Sequence, residues 1–331
     1  HCSPALYATL ANRGFFNVEE LKSFRNINGK LQGHPDMKNI PGVDMTTGSL
    51  GQGLSDANGM AIAGKLDNKD YRVYCILGDG EMFFAKPGEY KPCGLFSLQH
   101  IILLAVTILI IIVALKLTKT NKKENIRKII ISVTIFCWIM EIIKIVFNLK
   151  IGNAHNVNTY IPLYYCSILL YAGILSSFGK GKAKRLGDVF LATGAFVGGS
   201  IFLLFPTTSL PTYPIFHYIS LQSFLYHGCM VYLSLVVLKT NYIELEKKDA
   251  IYYFILILVI SVVALIINNI FGSNLMFISQ NFPNTFVNVI YVVCGKLFTP
   301  VMILGQATLP FWIVYEITNL IKKENENAIN Y

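Results

Sequence analysis

The sequence is short of charge and lacks the patterns that mark a metal-centred or disulfide-built protein. Only 14% of its 331 residues are charged, against about 25% in an ordinary globular domain, which excludes a disordered or heavily solvated chain. The seven cysteines, at 2, 75, 93, 137, 166, 229 and 294, include no CxxC pair and no clustered spacing. That argues against a zinc site and against a disulfide scaffold. No cleavable signal peptide opens the chain and residue 1 is His rather than Met, so the expectation is that the sequence begins inside a longer unit.

Apolar sequence is what the chain has in excess: 53% hydrophobic types and a mean hydropathy of +0.51, the profile of a protein largely dissolved in lipid. The average conceals a division. Residues 1–81 carry 8 Lys/Arg and 9 Asp/Glu, a net of −1, whereas residues 82–331 carry 20 and 10, a net of +10. Two unrelated pieces joined near Glu81–Met82 are expected.

The first piece reads as α/β. Residues 4–12 have helical apolar spacing ended by Arg13-Gly14, and a second helical stretch covers Leu54–Leu66. Arg72–Leu77 (RVYCIL) reads as a short buried strand closed by Gly78-Asp79-Gly80. A strand running into GDG suits a phosphate or metal site at the carboxyl end of a parallel sheet.

Longer motifs carry more information. His1-Cys2-Ser3-Pro4-Ala5-Leu6-Tyr7, Gln32-Gly33-His34-Pro35, Pro41 through Gly53 (PGVDMTTGSLGQG) and Leu77-Gly78-Asp79-Gly80-Glu81 together resemble the amino-terminal, thiamine-diphosphate-binding domain of transketolase. The resemblance implies that Gly48, Ser49 and Leu50 pack against the cofactor and that His1 and His34 line the substrate channel. It also implies that Asp79 holds a divalent metal. Glycines at 48, 51 and 53 would let backbone approach a diphosphate closely. The family pattern then fails: it needs an Asn-Asn pair some 25–30 residues after GDG, and the next Asn here is Asn121, in a basic loop. The pyrimidine-binding domain is absent as well. Residues 1–81 are therefore expected to be a truncated, inert fragment, with no functional thiamine diphosphate or metal.

Residues 82–331 repeat one pattern, apolar stretches separated by polar loops, as spanning helices require. Seven spans are expected: 100–117, 129–147, 160–178, 187–205, 215–238, 251–271 and 299–321, with Phe286–Val293 as a short re-entrant or interfacial turn. Loop 116–128 holds six Lys/Arg, 179–186 four, 239–250 three and the segment after 321 two, while the alternate loops hold Lys150, none and Lys296. The alternation puts the carboxyl end on the cytoplasmic side of a cytoplasmic membrane and residues 1–81 outside.

Polar residues inside such spans are costly and mark function. Cys137, Glu141, Lys144 and Asn148 fall on one helix face of the second span; Glu141 and Lys144 form either a self-neutralising pair or part of a polar cavity. Cys166, Gly173 and Ser177 share a face of the third. In the fifth, Ser220, Ser223 and His227 share a stripe, with His217 one turn or so outward, which favours a water-accessible pocket. Gly194-x-x-x-Gly198 and Ala195-x-x-x-Gly199 suit close helix approach. Asn268, Asn269, Asn274, Trp312 and Glu316 are expected to face inward.

Tyr160 through Ser167 (YIPLYYCS), Gly194 through Pro206, His217 through Gly228 (ending FLYHG) and Gly272 through Phe277 resemble the YwaF-type integral membrane family, across essentially all of 82–331. Related eukaryotic transmembrane proteins are described as acyltransferases that remodel phospholipids through a reactive Cys and a His. The resemblance thus implies Cys166 as nucleophile with His227 or His217 as base, and a lysophospholipid or acyl donor as substrate. The family often has His where this chain has Tyr164 or Tyr165. Membrane lipid is the expected partner, and nucleic acid is not. A solute or ion carrier built on Glu141, Lys144 and the two histidines is the rival reading, and a transketolase without turnover a third.

The charge alternation makes a direct prediction. Amine-reactive labelling of intact cells should miss Lys122, and a tag fused at Tyr331 should resist external protease; labelling or cleavage from outside would invert the topology.

Overall fold

Apolar helices with their hydrophobic faces left bare dominate the computed structural model. It describes residues 2–49, 51–78, 83–88, 90–151 and 156–329, with side chains to 324. His1, Leu50, Asp79 and the Glu81–Met82 junction lie outside these described residues. Two units separate, one formed by His1–Pro92 with Thr212–Tyr218, the other by Cys93–Pro211 with Ile219–Tyr331.

In the first unit, Pro4 opens helix α1 (Ser3–Asn12) and Gly14, at φ +83°, follows its end. Tyr7 and Leu10 of α1 pack with Leu31, Ile40 and Val43 in a small core, and the Tyr7 hydroxyl donates to Gln32 O at 2.7 Å. The backbone amide of Lys38 bonds Asp36 at 3.0 Å and holds its carboxyl below the ordinary range. Helix α2 covers Gln52–Leu66 and starts from Gly51 in the left-handed region (φ +82°).

The strand expected over Arg72–Leu77 does not form: this stretch is irregular, and no strand occurs among the described residues. Tyr74 is 82% exposed although it lies in sequence suited to a buried strand. A parallel strand takes its hydrogen bonds and its cover from neighbours, and no neighbouring strand is present among the described residues.

The second unit contains α3 (Leu98–Leu117), α4 (Lys123–Lys150), α5 (Ile168–Phe178), α6 (Gly181–Ala192), α7 (Gly194–Leu204), α8 (Tyr218–Lys239), α9 (Asp249–Phe271), α10 (Phe286–Cys294) and α11 (Phe298–Ile329). Ser97 caps α3 by accepting from His100 N at 3.1 Å. Among the described residues, six stretches are long and apolar enough to cross a membrane, namely α3, α4, α6 with α7, α8, α9, and Phe286–Glu324. Only 22% of the apolar window of α3 is buried, and 28% of those of α4 and α9. Bare apolar surface on that scale is a lipid-facing surface rather than that of a soluble monomer.

The seven expected spans thus meet six helices of sufficient length. The third span is helical only in α5, because residues 160–167, which include Pro162, leave the helix. The fourth is divided at Thr193 (φ −120°, ψ −70°), whose hydroxyl donates back to Val189 O at 2.7 Å. Residues 286–294, expected as a turn, form the nine-residue α10. Asn268 is buried as expected, but Asn269, Trp312 and Glu316 lie on outward faces.

Helix α5 packs against α4 and α6, and α9 against α6 and α11. Gly187 allows the α5–α6 approach: a Cβ there would sit 2.4 Å from Ala172 O and 2.5 Å from Ser176 N. Two of the basic residues in the first turns of α6, Lys184 and Arg185, are neutralised internally. Arg185 donates through Nε and Nη2 to both carboxylate oxygens of the fully buried Asp249, at 2.7 and 2.5 Å. Lys184 donates to Asp188 at 2.6 Å and to the Tyr242 hydroxyl at 2.9 Å, and Ser176 Oγ donates to the other Asp188 oxygen.

Removing one partner of a buried pair strands the other charge. Asp249→Ala should therefore destabilise the purified protein by about 3–5 kcal/mol, read as a lowered thermal midpoint in detergent. Gly187→Val should also destabilise it by overpacking, about 1–3 kcal/mol or more.

Candidate functional site

Residues 160–167 bring backbone polar groups into the helical unit without a helix to satisfy them. Tyrosines add donors there: the Tyr171 hydroxyl donates to Pro162 O at 3.0 Å, and the Tyr226 hydroxyl donates at 3.2 Å to Cys166 O, which also accepts from Leu169 N. Tyr165 Oη reaches Gly194 O at 3.4 Å and bonds Tyr253 Oη at 2.5 Å. Cys166 is half-buried and stands just before the N-cap of α5, Ser167. Sequence spacing set it on a helix face with Gly173 and Ser177; in the fold it precedes that helix, and only the other two lie on it.

On α4, Cys137, Glu141 and Asn148 are buried along one face as the spacing predicted, with Lys144 beside them. Glu141 and Lys144 form an ion pair at 2.6 Å, with the two side chains 4% and 22% exposed. Cys166 directly precedes the amino end of α5, where a helix terminus favours negative charge.

Ser220, Ser223 and His227 all lie buried on α8. His227 Nδ1 is 2.6 Å from Ser223 O. A carbonyl only accepts, so Nδ1 carries the proton and Nε2 presents its lone pair. Nε2 is buried and has no hydrogen-bond partner among the described residues; it is not bonded to the Cys166 thiol. The imidazole is clamped by Phe202, parallel at 3.6 Å between centroids, with Tyr226 edge-on at 5.5 Å. Ser220 Oγ is likewise buried and unpartnered among the described residues.

Small residues of α7 make this approach possible. A Cβ at Gly198 would meet the Tyr165 ring at 2.7 Å, and one at Gly199 the His227 carbonyl at 2.9 Å. His217 is placed elsewhere: it precedes α8 in the first unit, donates from Nε2 to Ala85 O at 3.0 Å and stacks on Tyr213.

The fold thus ties the Cys166 backbone to Tyr226, whose ring lies beside that of His227, and pairs Glu141 with Lys144 on α4. Sequence reasoning missed Tyr226, Tyr171 and Phe202. Tyr226 had a signal, since it directly precedes His227; the Phe202 stack had none, because a 25-residue separation carries no periodicity.

In the first unit, a Cβ at Gly48 would lie 3.1 Å from His34 Nδ1, so two positions matched to the cofactor motif are close together. Ser49 is exposed. Among the described residues no group of three His, Cys, Asp or Glu is placed to hold a metal ion, and Arg72–Leu77, which should deliver Asp79 from a sheet, is irregular and mostly exposed. The described part of this segment thus lacks the ordered strand end from which the motif presents its metal-binding Asp.

Six long apolar helices define a multi-pass α-helical membrane protein. Residues 95–315 match the TMEM164 family; that is most of the chain, and the chain belongs to this family. The sequence motifs alone had suggested a YwaF-type membrane family over the same region. Residues 1–90 match the transketolase, thiamine diphosphate binding domain. Among curated proteins, the chain is 49% identical over 106 residues to the 6-deoxy-6-sulfo-D-fructose transketolase subunit SqwG of a Clostridium species, covering 31% of this chain and 38% of that one. It is 44% identical over 104 residues to mouse transketolase, covering 31% and 16%, and 52% identical over 83 residues to human transketolase, covering 25% and 13%. The chain thus spans less than two fifths of the length of these relatives.

Thiamine diphosphate with magnesium, titrated calorimetrically into the purified full chain, should give no binding heat at micromolar cofactor. Saturable binding there would show that residues 1–90 form a working cradle.

Proposed function

We propose that the membrane domain transfers acyl chains between phospholipids through a thioester on Cys166, with His227 as the base. The observation that carries this reading is the bare, buried Nε2 of His227, whose tautomer is set by the Nδ1–H bond to Ser223 O. His227 removes the Cys166 proton, and the thiolate attacks the acyl carbonyl of the donor lipid. The donor oxygen departs with the proton from the imidazolium, leaving a lysolipid and the thioester. An incoming lysophospholipid hydroxyl then gives its proton to His227 and attacks the thioester, which releases the Cys166 sulfur. Lys144, held by Glu141, supports the negative charge of each step, and Tyr226 holds the Cys166 backbone in place.

The same reading takes residues 160–178 as a seventh, partly unwound span, with non-helical backbone tolerated because it lines a cavity. The carboxyl end lies on the cytoplasmic side of the cell membrane, and residues 1–81 take no part in turnover. A carrier would need the Glu141–Lys144 pair to open; its 2.6 Å closure gives that reading no support.

Exchange of labelled acyl chains in proteoliposomes tests the proposal. Cys166→Ala should abolish exchange and His227→Ala should lower it by about 10²–10⁴-fold, while His217→Ala should leave most of it. A lipid-like electrophile should label Cys166 fastest among Cys93, Cys137, Cys166, Cys229 and Cys294, and His227→Ala should slow that labelling. Exchange that survives Cys166→Ala, or labelling spread evenly over the five thiols, would end the acyltransferase reading.

A further inference from the structure

A groove of about 550 Å³ opens at the basic end of α3 and α4, within the usual range for a small-molecule site. Its floor is apolar, formed by Ala114, Leu117 and Ile129, and its rim carries Thr118, Lys119 and Tyr232. The rim hydroxyls are committed. Thr118 Oγ1 donates to Ala114 O at 2.9 Å and so accepts from Tyr232 Oη at 2.8 Å. Lys119 is the one charged residue in the lining.

The charge around it is uncompensated. Lys116, Lys119, Lys122 and Lys123 are exposed and make no ion pair among the described residues, and the one adjacent acid, Glu124, is held by Lys128 at 3.0 Å. The next basic loop ties Lys184 and Arg185 to Asp188 and Asp249 and leaves Lys180 and Lys182 exposed, but no residue of that loop lines the groove. Helices α3 and α4 also leave most of their apolar surface bare. The groove therefore opens at the level where acyl chains give way to headgroups.

We propose that this groove seats an anionic glycerophospholipid. One acyl chain lies on Ala114, Leu117 and Ile129, the phosphate meets Lys119, and Lys122 and Lys123 draw the headgroup in. A free phosphate would leave the apolar floor uncovered, and a zwitterionic headgroup would cancel its own attraction to the lysines. The site is separate from Cys166 and requires no turnover there.

The test uses the full chain purified in a nonionic detergent. It is titrated with dioleoylphosphatidylglycerol, dioleoylphosphatidylcholine or sn-glycerol 3-phosphate, and bound molecules are counted by native mass spectrometry. Phosphatidylglycerol should bind in preference to phosphatidylcholine, and glycerol phosphate should not bind. Each lysine removed should weaken binding roughly fivefold. Lys119→Gln alone should show that step, and its combination with Lys122→Gln and Lys123→Gln about a hundredfold loss. Ile129→Trp, which fills the floor and leaves every charge, should also weaken binding, whereas Lys180→Gln with Lys182→Gln should not. Equal binding of phosphatidylcholine, binding of glycerol phosphate alone, or equal loss from the Lys180/Lys182 pair would overturn the proposal. So would indifference to both Lys119→Gln and Ile129→Trp.

Discussion

A backbone carbonyl or amide without a partner costs several kcal/mol in hydrocarbon, and this chain leaves the helix twice in its membrane unit at points that matter. In residues 160–167 the Pro162 carbonyl accepts from the Tyr171 hydroxyl, and the Cys166 carbonyl accepts from both Leu169 N and the Tyr226 hydroxyl. After α9, Asn268 uses its whole amide. It donates to Leu275 O and Ser279 Oγ and accepts from Leu275 N and Ser273 Oγ, all between 2.7 and 3.1 Å. Each break is closed by a polar side chain on a neighbouring or flanking helix, so the helices must be assembled before the break is affordable in energy. Cys166 owes its position to that coupling.

The same constraint governs charge. Asp188, Asp249 and Glu141 are nearly or wholly buried, and each has a cation within 2.6 Å. Pairing these acids consumes Lys144, Lys184 and Arg185 inside the unit and leaves the lysines of loop 116–128 to face outward. The small residues of α7 govern a separate approach, since a side chain at Gly198 would meet the Tyr165 ring and one at Gly199 the His227 carbonyl.

The amino-terminal piece meets the opposite difficulty. It retains motif residues in the right order and even the close approach of Gly48 to His34, but no strand forms beside Arg72–Leu77 among the described residues. Helices satisfy their own hydrogen bonds and survive in isolation better than strands do, so α1 and α2 form while Arg72–Leu77 stays irregular. A binding motif that depends on strand ends loses its geometry with the sheet.

Local pattern in the sequence determined much of this molecule. Helical spacing and length placed α1, α2 and most of the long apolar helices, because a helix bonds within itself and its period is written in consecutive residues. It also placed Cys137, Glu141 and Asn148 on a buried face of α4, and Ser220, Ser223 and His227 on α8. Tertiary structure alone decided where helices break and what meets across them: the unwinding at 160–167, the division at Thr193, the Phe202–His227 stack and the Tyr226–Cys166 bond. It also turned Trp312 and Glu316 outward, as helix spacing can define a face but cannot say which partner that face will find. Those outcomes depend on groups tens of residues apart competing for a few donors in a medium without water, and no periodicity along the chain records that competition.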